Sequence, residues 1–282
     1  MKLAIITDTT CDVGIDALRQ INVEPVPLFV HFQGKTFKDW IDINPKDIVE
    51  GVQSGASMPS TSQPSPQDFI DAYARAVQQG AEEILCITIS SGLSGTYQSA
   101  TIAQESASVP VTVFDSQAAS LGIGMMVKRA VAMRDQSSSL SDIVKELERI
   151  RSQCTVRFTV DNLDFLQKNG RIGGAQALLG GLLNIKPILS VIDGKVVPAG
   201  KARGAKKALR EIVKDVSKFS EEKGKPVMYF LHVQKPEAAE QLRQELRDNG
   251  IDFVDAGSYE IGAVIASHTG PGTYGAYFYP EN

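Results

Sequence analysis

Residues 84–98 read ILCITISSGLSGTYQ: Ile84-Leu85-Cys86-Ile87-Thr88-Ile89, then Ser90-Ser91-Gly92-Leu93-Ser94-Gly95-Thr96-Tyr97-Gln98. The first six are a short apolar run of the kind that forms a strand buried on both faces. Hydroxyls and glycines crowd behind it, and a more helical segment follows. Strand, turn and helix in that order are half of a strand-helix-strand unit, so this stretch predicts a parallel sheet. In such a sheet the loops leaving the C-terminal ends of the strands line the ligand crevice, because helix N-termini and backbone amides converge there.

The alternation extends to both sides. Residues 3–7 and 111–114 are further strand candidates. Ser65-Pro66 supplies an N-cap and a first-turn proline, and Phe69, Ala72, Tyr73, Ala76 and Val77 recur at helical spacing until Gly80. Asn44-Pro45 opens a shorter helix that closes at Gly55, and Leu140, Ile143, Val144, Leu147 and Ile150 stripe a third. Between Glu24 and Asn44 the pattern weakens, with Phe29, Phe32, Phe37 and Trp40 set among turn and charged residues, which predicts an inserted ribbon or small lobe. Beyond Cys154 the register changes: residues 155–160 read as a strand, and a short helix follows to Asn169, where Gly170 ends it. Asp193-Gly194, between apolar runs at 188–192 and 195–198, is the strongest two-residue hairpin signal in the chain. Helices around 205–216 and 238–246 and strands at 227–231 and 251–254 complete an α+β unit. Two domains are expected, 1–154 and 155–282, with the lobe at about 24–60.

The chain has 282 residues, 43% hydrophobic and 22% charged, enough to bury a sizeable core and a ligand cavity. The formal net charge is -4 and no long basic block occurs, which excludes the footprint of a general nucleic-acid binder. No run of ~18 apolar residues occurs, and Met1 to Asp8 lacks the apolar region of a signal peptide, so no stable membrane insertion and a cytoplasmic location are expected. Cys11, Cys86 and Cys154 are too widely spaced for a disulfide framework or a zinc pattern.

Five hydroxyl-rich loops stand where ligands bind: Thr7-Asp8-Thr9-Thr10, Ser60-Thr61-Ser62-Gln63-Pro64-Ser65, the opening stretch, Phe114-Asp115-Ser116-Gln117, and Ser267-His268-Thr269-Gly270-Pro271-Gly272. Hydroxyls and amides at a helix start suit a small anion, a carboxylate or a phosphate. Ser and Thr are also favoured at N-caps and turns whatever the function. The nucleotide signatures fail, since the stretch has no P-loop lysine and Gly170-Arg171-Ile172-Gly173-Gly174 is no G-x-G-x-x-G. A serine hydrolase would use Ser94 as nucleophile, His268 as base and Asp115 as orienter, but Thr96 stands where the nucleophile elbow needs glycine. His31, His232 and His268 are scattered, with no metal-ligand spacing. Arg171 and Arg203, beside glycines, are candidate contacts for an anion or a partner. Residues 177–183 and 121–126 mix glycine with large apolar side chains, which suits either core helices or room for an acyl chain.

These same stretches resemble the DegV family of bacterial lipid-binding proteins, carriers that present a fatty acid to a separate fatty acid kinase. The resemblance spans almost the whole chain and rests on Thr7-Asp8-Thr9-Thr10, Pro59-Ser60-Thr61-Ser62-Gln63-Pro64, Ser90 to Gln98, Phe114-Asp115-Ser116, Asn169-Gly170-Arg171-Ile172 and Ser267 to Gly272. Thr9-Thr10 stands where serine-threonine is common. The resemblance implies a Rossmann-like α/β N-terminal domain with a small inserted lobe, an α+β C-terminal domain, and one acyl chain, such as palmitate, buried between or beneath them. It implies that Thr61 and Ser94 bind the fatty-acid carboxylate, with Ser62, Gly95 and His268 nearby. It also implies a kinase partner, for which Arg171 and Arg203 are the candidate docking residues, no cofactor beyond the bound lipid, and a binding protein rather than an enzyme. The alternative is a serine hydrolase of acyl esters using Ser94 and His268.

Overall fold

The 84–89 run builds the strand Glu83–Thr88, and Ile84, Leu85, Cys86 and Ile87 are fully buried in it. In the computed structural model, which describes residues 2–178 and 185–281, this strand has a parallel neighbour on each edge. Leu3–Asp8 sets Ile5 opposite Leu85, and Val111–Asp115 sets Val113 opposite Cys86. Val23–Val26 pairs in parallel on the far side of Leu3–Asp8, completing a four-stranded sheet in the order 23–26, 3–8, 83–88, 111–115. Residues 24–26 thus belong to this sheet; Pro25 is tolerated because the strand is an edge, where a missing N–H breaks no ladder. The chain steps one way from Leu3–Asp8 and then returns to its other side, so the strand order reverses between Leu3–Asp8 and Glu83–Thr88. That reversal is where open parallel sheets bind ligands.

The helix Pro66–Gln78 starts on a reciprocal cap, with the Ser65 side chain accepting from the Asp68 N–H and the Asp68 carboxylate accepting from the Ser65 N–H. Its buried residues Phe69, Ala72, Tyr73 and Ala76 pack with Ala100 and Ala103 of the helix Thr96–Gln104 and with Ile6, Ile84 and Cys86 of the sheet. The helix Leu121–Asp135 buries every residue from Leu121 to Val127. Gly124 there is a packing device: a Cβ would lie 2.6 Å from the Cys11 carbonyl oxygen. Residues 121–126 are therefore core. Of the companion stretch at 177–183, residues 179–183 lie outside the described residues. In the weakly patterned region, Phe29–Phe32 pairs antiparallel with both Lys35–Lys38 and Ser60–Ser62.

By contacts the chain divides into two units, Met1–Asn44, Pro59–Ser152 and Gly262–Val264 in the first, and Pro45–Met58, Gln153–Ile261 and Ile265–Asn282 in the second. The second holds a six-stranded sheet in the order Lys195–Arg203, Ile185–Ile192, Thr155–Thr159, Tyr274–Pro280, Pro226–His232, Val254–Glu260. Every neighbouring pair is antiparallel except the last. Asp193 and Gly194 make the predicted hairpin, with φ of 49° and 72° as a type I′ turn requires. The helices Ala205–Lys223 and Pro236–Asp248 lay Leu209, Ile212, Val216, Leu242 and Leu246 against Met228, Phe230 and Phe278. The strand expected at 251–254 begins only at Val254, because Ile251 donates its N–H to Leu246 at 3.1 Å and closes the preceding helix instead. No helix among the described residues is long and apolar enough to cross a membrane.

Candidate functional site

At the switch point the first loop turns inward. Asp8 is fully buried; its Oδ2 accepts the Ile89 N–H at 2.7 Å, and its Oδ1 accepts the Thr10 N–H at 3.0 Å and the Thr10 hydroxyl. Burial pushes its pKa up to about 6 in spite of those bonds. The Thr7 hydroxyl donates to the Ile87 carbonyl at 2.9 Å, and Thr9 Oγ1 accepts the Leu28 N–H at 3.1 Å. This loop ties strands together.

The 89–98 loop divides its hydroxyls between two tasks. Ser90 folds it: the Ser90 hydroxyl accepts the Gly92 N–H at 3.0 Å and the Ser90 carbonyl accepts the Leu93 and Ser94 N–H groups at 3.0 and 3.1 Å. Ser91 donates its hydroxyl to Asp115 at 2.5 Å, and Asp115 also accepts the N–H groups of Ser91 and Gln117. Ser94 instead stands at the start of the helix Thr96–Gln104, where its Oγ lies 2.8 Å from Thr96 Oγ1 and accepts the Thr96 N–H at 3.3 Å. The next two N–H groups, of Tyr97 and Gln98, meet no acceptor among the described residues. A part-exposed serine hydroxyl beside two helical amides without acceptors among the described residues is an arrangement suited to a small anion.

Thr61 and Ser62 are neighbours in a strand and so project to opposite faces. Thr61 is opposite Val30, on the face shared with the buried Val30 and Phe32. Ser62 shares the other face with His31, whose Nε2 is 2.9 Å from Ser62 Oγ while its Nδ1 is 2.9 Å from Thr36 Oγ1. The His31 bridge thus engages Ser62 on the face opposite Thr61. The side chain that joins this strand to the helix start is Gln63: its Nε2 donates to Ser99 Oγ at 3.2 Å, and its carboxamide rests on Gly95. The sequence gives neither His31 nor Gln63 this linking role, because the contacts that define it, to Ser62 and Ser99, lie 31 and 36 residues away along the chain.

In the second unit, Asn169-Gly170-Arg171 closes the helix Asp164–Lys168 with a Schellman pair, Arg171 N–H to Leu166 at 2.9 Å and Gly170 N–H to Gln167 at 3.1 Å, with Gly170 at φ 68°. Asn169 Nδ2 donates to the Ser267 carbonyl at 2.8 Å, tying this turn to the segment that carries His268. Burial pushes the His268 imidazole down to about 4, and the charge of Arg171 adds to the shift, so His268 is neutral at ordinary pH. Arg203 is exposed at the end of its strand, beside exposed Lys201, Lys206 and Lys207. Among the described residues no group of His, Cys, Asp or Glu could hold a metal ion.

Fold and site together define an α/β protein whose parallel sheet carries, at its switch point, a neutral cradle of hydroxyls and amides suited to a small anion. A model of the DegV family, described as an uncharacterised protein family, matches residues 2–281. A DegV domain-containing protein of Deinococcus radiodurans is 44% identical over 281 residues, covering 99% of both chains. The chain belongs to the DegV family. Among solved structures, one described as fatty acid binding of a DegV family protein from Thermus thermophilus is 46% identical with a TM-score of 0.95, covering 99% of this chain and 100% of that one. Another, described as DegV, a fatty acid binding protein from Bacillus subtilis, is 30% identical with a TM-score of 0.86, covering 99% of each chain.

Proposed function

We propose that the chain binds one long-chain fatty acid, such as palmitate, and presents it to a separate kinase that phosphorylates the bound carboxylate to an acyl phosphate. The carboxylate is held by the hydroxyls of Thr61 and Ser94 and by the helix start at Gly95. Ser62 adjoins Thr61 in the same strand with its side chain turned to His31, and Arg171 and Arg203 are the candidate docking residues for the kinase. The observation that carries the reading is the donor set at Ser94: a hydroxyl beside the amides of Tyr97 and Gln98, which meet no acceptor among the described residues. Such a set, with no lysine in its loop, matches one negative charge better than a triphosphate. The fatty-acid-binding descriptions of the Thermus thermophilus and Bacillus subtilis relatives support an acyl chain as the apolar part of the ligand.

This is the reading of a binding protein. The hydrolase alternative is weakened by two contacts: among the described residues Ser94 Oγ makes its polar contacts with Thr96, and Asp115 is occupied by Ser91 and Gln117. An activated serine needs a base in hydrogen-bond reach. Mass spectrometry of lipid extracted from the purified native protein tests the two readings. A stoichiometric free fatty acid is expected; its absence, together with covalent labelling of Ser94 by a fluorophosphonate, would establish the hydrolase instead.

A further inference from the structure

We propose that Gln63 is a positioning residue for the carboxylate site, setting the spacing between Thr61 and Ser94 without itself touching the ligand. The inference rests on the fatty-acid reading above and deepens it. Gln63 follows Thr61 by two residues, and Gly95 follows Ser94 directly. A Cβ built on Gly95 would lie 2.7 Å from both Cδ and Nε2 of Gln63, so the carboxamide occupies the space that any other residue at 95 would fill. Its Nε2 then donates to Ser99 Oγ at 3.2 Å, one turn further along the helix, where Ser99 is buried. Gln63 is otherwise on the surface. A long polar side chain laid over a bare Cα and bonded to a buried hydroxyl fastens the Thr61 strand to the Ser94 helix start at one fixed separation. Two hydroxyls that must both reach one carboxylate depend on that separation.

Gly95 has an ordinary negative φ of -74°, so alanine there strains no backbone and displaces only the end of Gln63. This gives two independent ways to remove one seat. Binding of hexadecanoic acid and of hexadecanol, which has the same chain and no charge, is measured by titration calorimetry for wild type, Gln63→Ala, Gly95→Ala and the double variant, together with thermal midpoints. The expected result is that each single variant binds the acid about tenfold more weakly and the alcohol less than about twofold more weakly, at unchanged midpoint. The double variant should bind the acid no more weakly than the weaker single variant, because the seat is lost once. Equal losses for acid and alcohol, no loss for the acid, or losses that add in the double variant would each overturn the positioning role. A wild-type protein that binds neither ligand overturns the fatty-acid reading itself, an outcome visible before any variant is compared.

Discussion

In the proposed site Thr61 and Ser94 would each bring one O–H donor to a ligand carboxylate, and a hydrogen bond to a charged group contributes about 1.5–3 kcal/mol. Thr61→Ala or Ser94→Ala is therefore predicted to weaken fatty-acid binding at least about tenfold, read by titration calorimetry. Because each buried methylene adds about 0.8 kcal/mol, long chains should retain measurable binding in either variant. Unchanged affinity in both would remove these residues from the site. A second residue-scale prediction concerns Asp39, fully buried with Val264 donating its N–H at 3.2 Å. Burial pushes its pKa from 3.8 to about 7, against the lowering effect of hydrogen bonds from Thr9, Val264 and Ala263. The folded chain then holds a proton that the unfolded chain releases, so this group's contribution to stability falls as pH rises from about 4 to about 7. Asp39→Asn cannot ionise and should lose that slope: its thermal midpoint relative to wild type should move in the variant's favour between pH 4 and pH 7. An offset independent of pH would show that the folded carboxyl is ionised like the unfolded one. The loops that carry Thr61 and Ser94 stand out in the sequence because they hold recognisable residue strings. His31 and Gln63 do not, since a histidine in a ribbon and a glutamine after a strand look like ordinary surface until the fold supplies Ser62 and Ser99.

At the scale of elements, the sequence was most readable where local chemistry and burial agree. Ser65-Pro66 and the Phe69, Ala72, Tyr73, Ala76 stripe fixed the helix Pro66–Gln78, and Asp193-Gly194 fixed its hairpin, because caps and positive-φ turns are written in single residues. The strand Tyr274–Pro280 went unread although it lies inside the six-stranded sheet. All seven of its residues are buried, so it lacks the alternation that marks a half-buried strand. The apolar side chain of Ile251 suggests a strand, whereas its role is to close the end of the helix Pro236–Asp248. The local devices make their own predictions. Ser65→Ala removes one half of a reciprocal cap and should cost about 1 kcal/mol in urea unfolding. Gly170→Ala forces a side chain into φ 68° and should cost a similar ~1 kcal/mol, again with an unchanged urea dependence. If neither substitution moves the urea midpoint, these two helix ends are held by packing and their caps are incidental.

For the molecule as a whole, the distribution of charge matters more than its sum. The chain carries a net charge of -4, yet from Lys195 to Arg210 it holds no Asp or Glu. Within that span Lys201, Arg203, Lys206, Lys207 and Arg210 are all exposed, where the Lys195–Arg203 strand passes into the Ala205–Lys223 helix. A cationic surface on an acidic protein favours an acidic partner by attraction at a distance, a contribution that salt screens within about 8 Å at physiological ionic strength. Rim charges of this kind set encounter and partner choice, while on the proposed reading affinity for the lipid would depend on its buried chain and on the donors at Thr61 and Ser94. Arg203→Glu reverses one charge at an exposed position and breaks no ion pair among the described residues. The prediction is that this variant binds hexadecanoic acid within about twofold of wild type but supports phosphorylation of the bound acid by its cognate kinase at least about tenfold less well at low salt, with the gap narrowing as salt is raised. Loss of lipid binding in step with phosphorylation would assign Arg203 to the fold or the pocket. Phosphorylation unchanged at every salt concentration would move the docking face away from this cationic surface altogether.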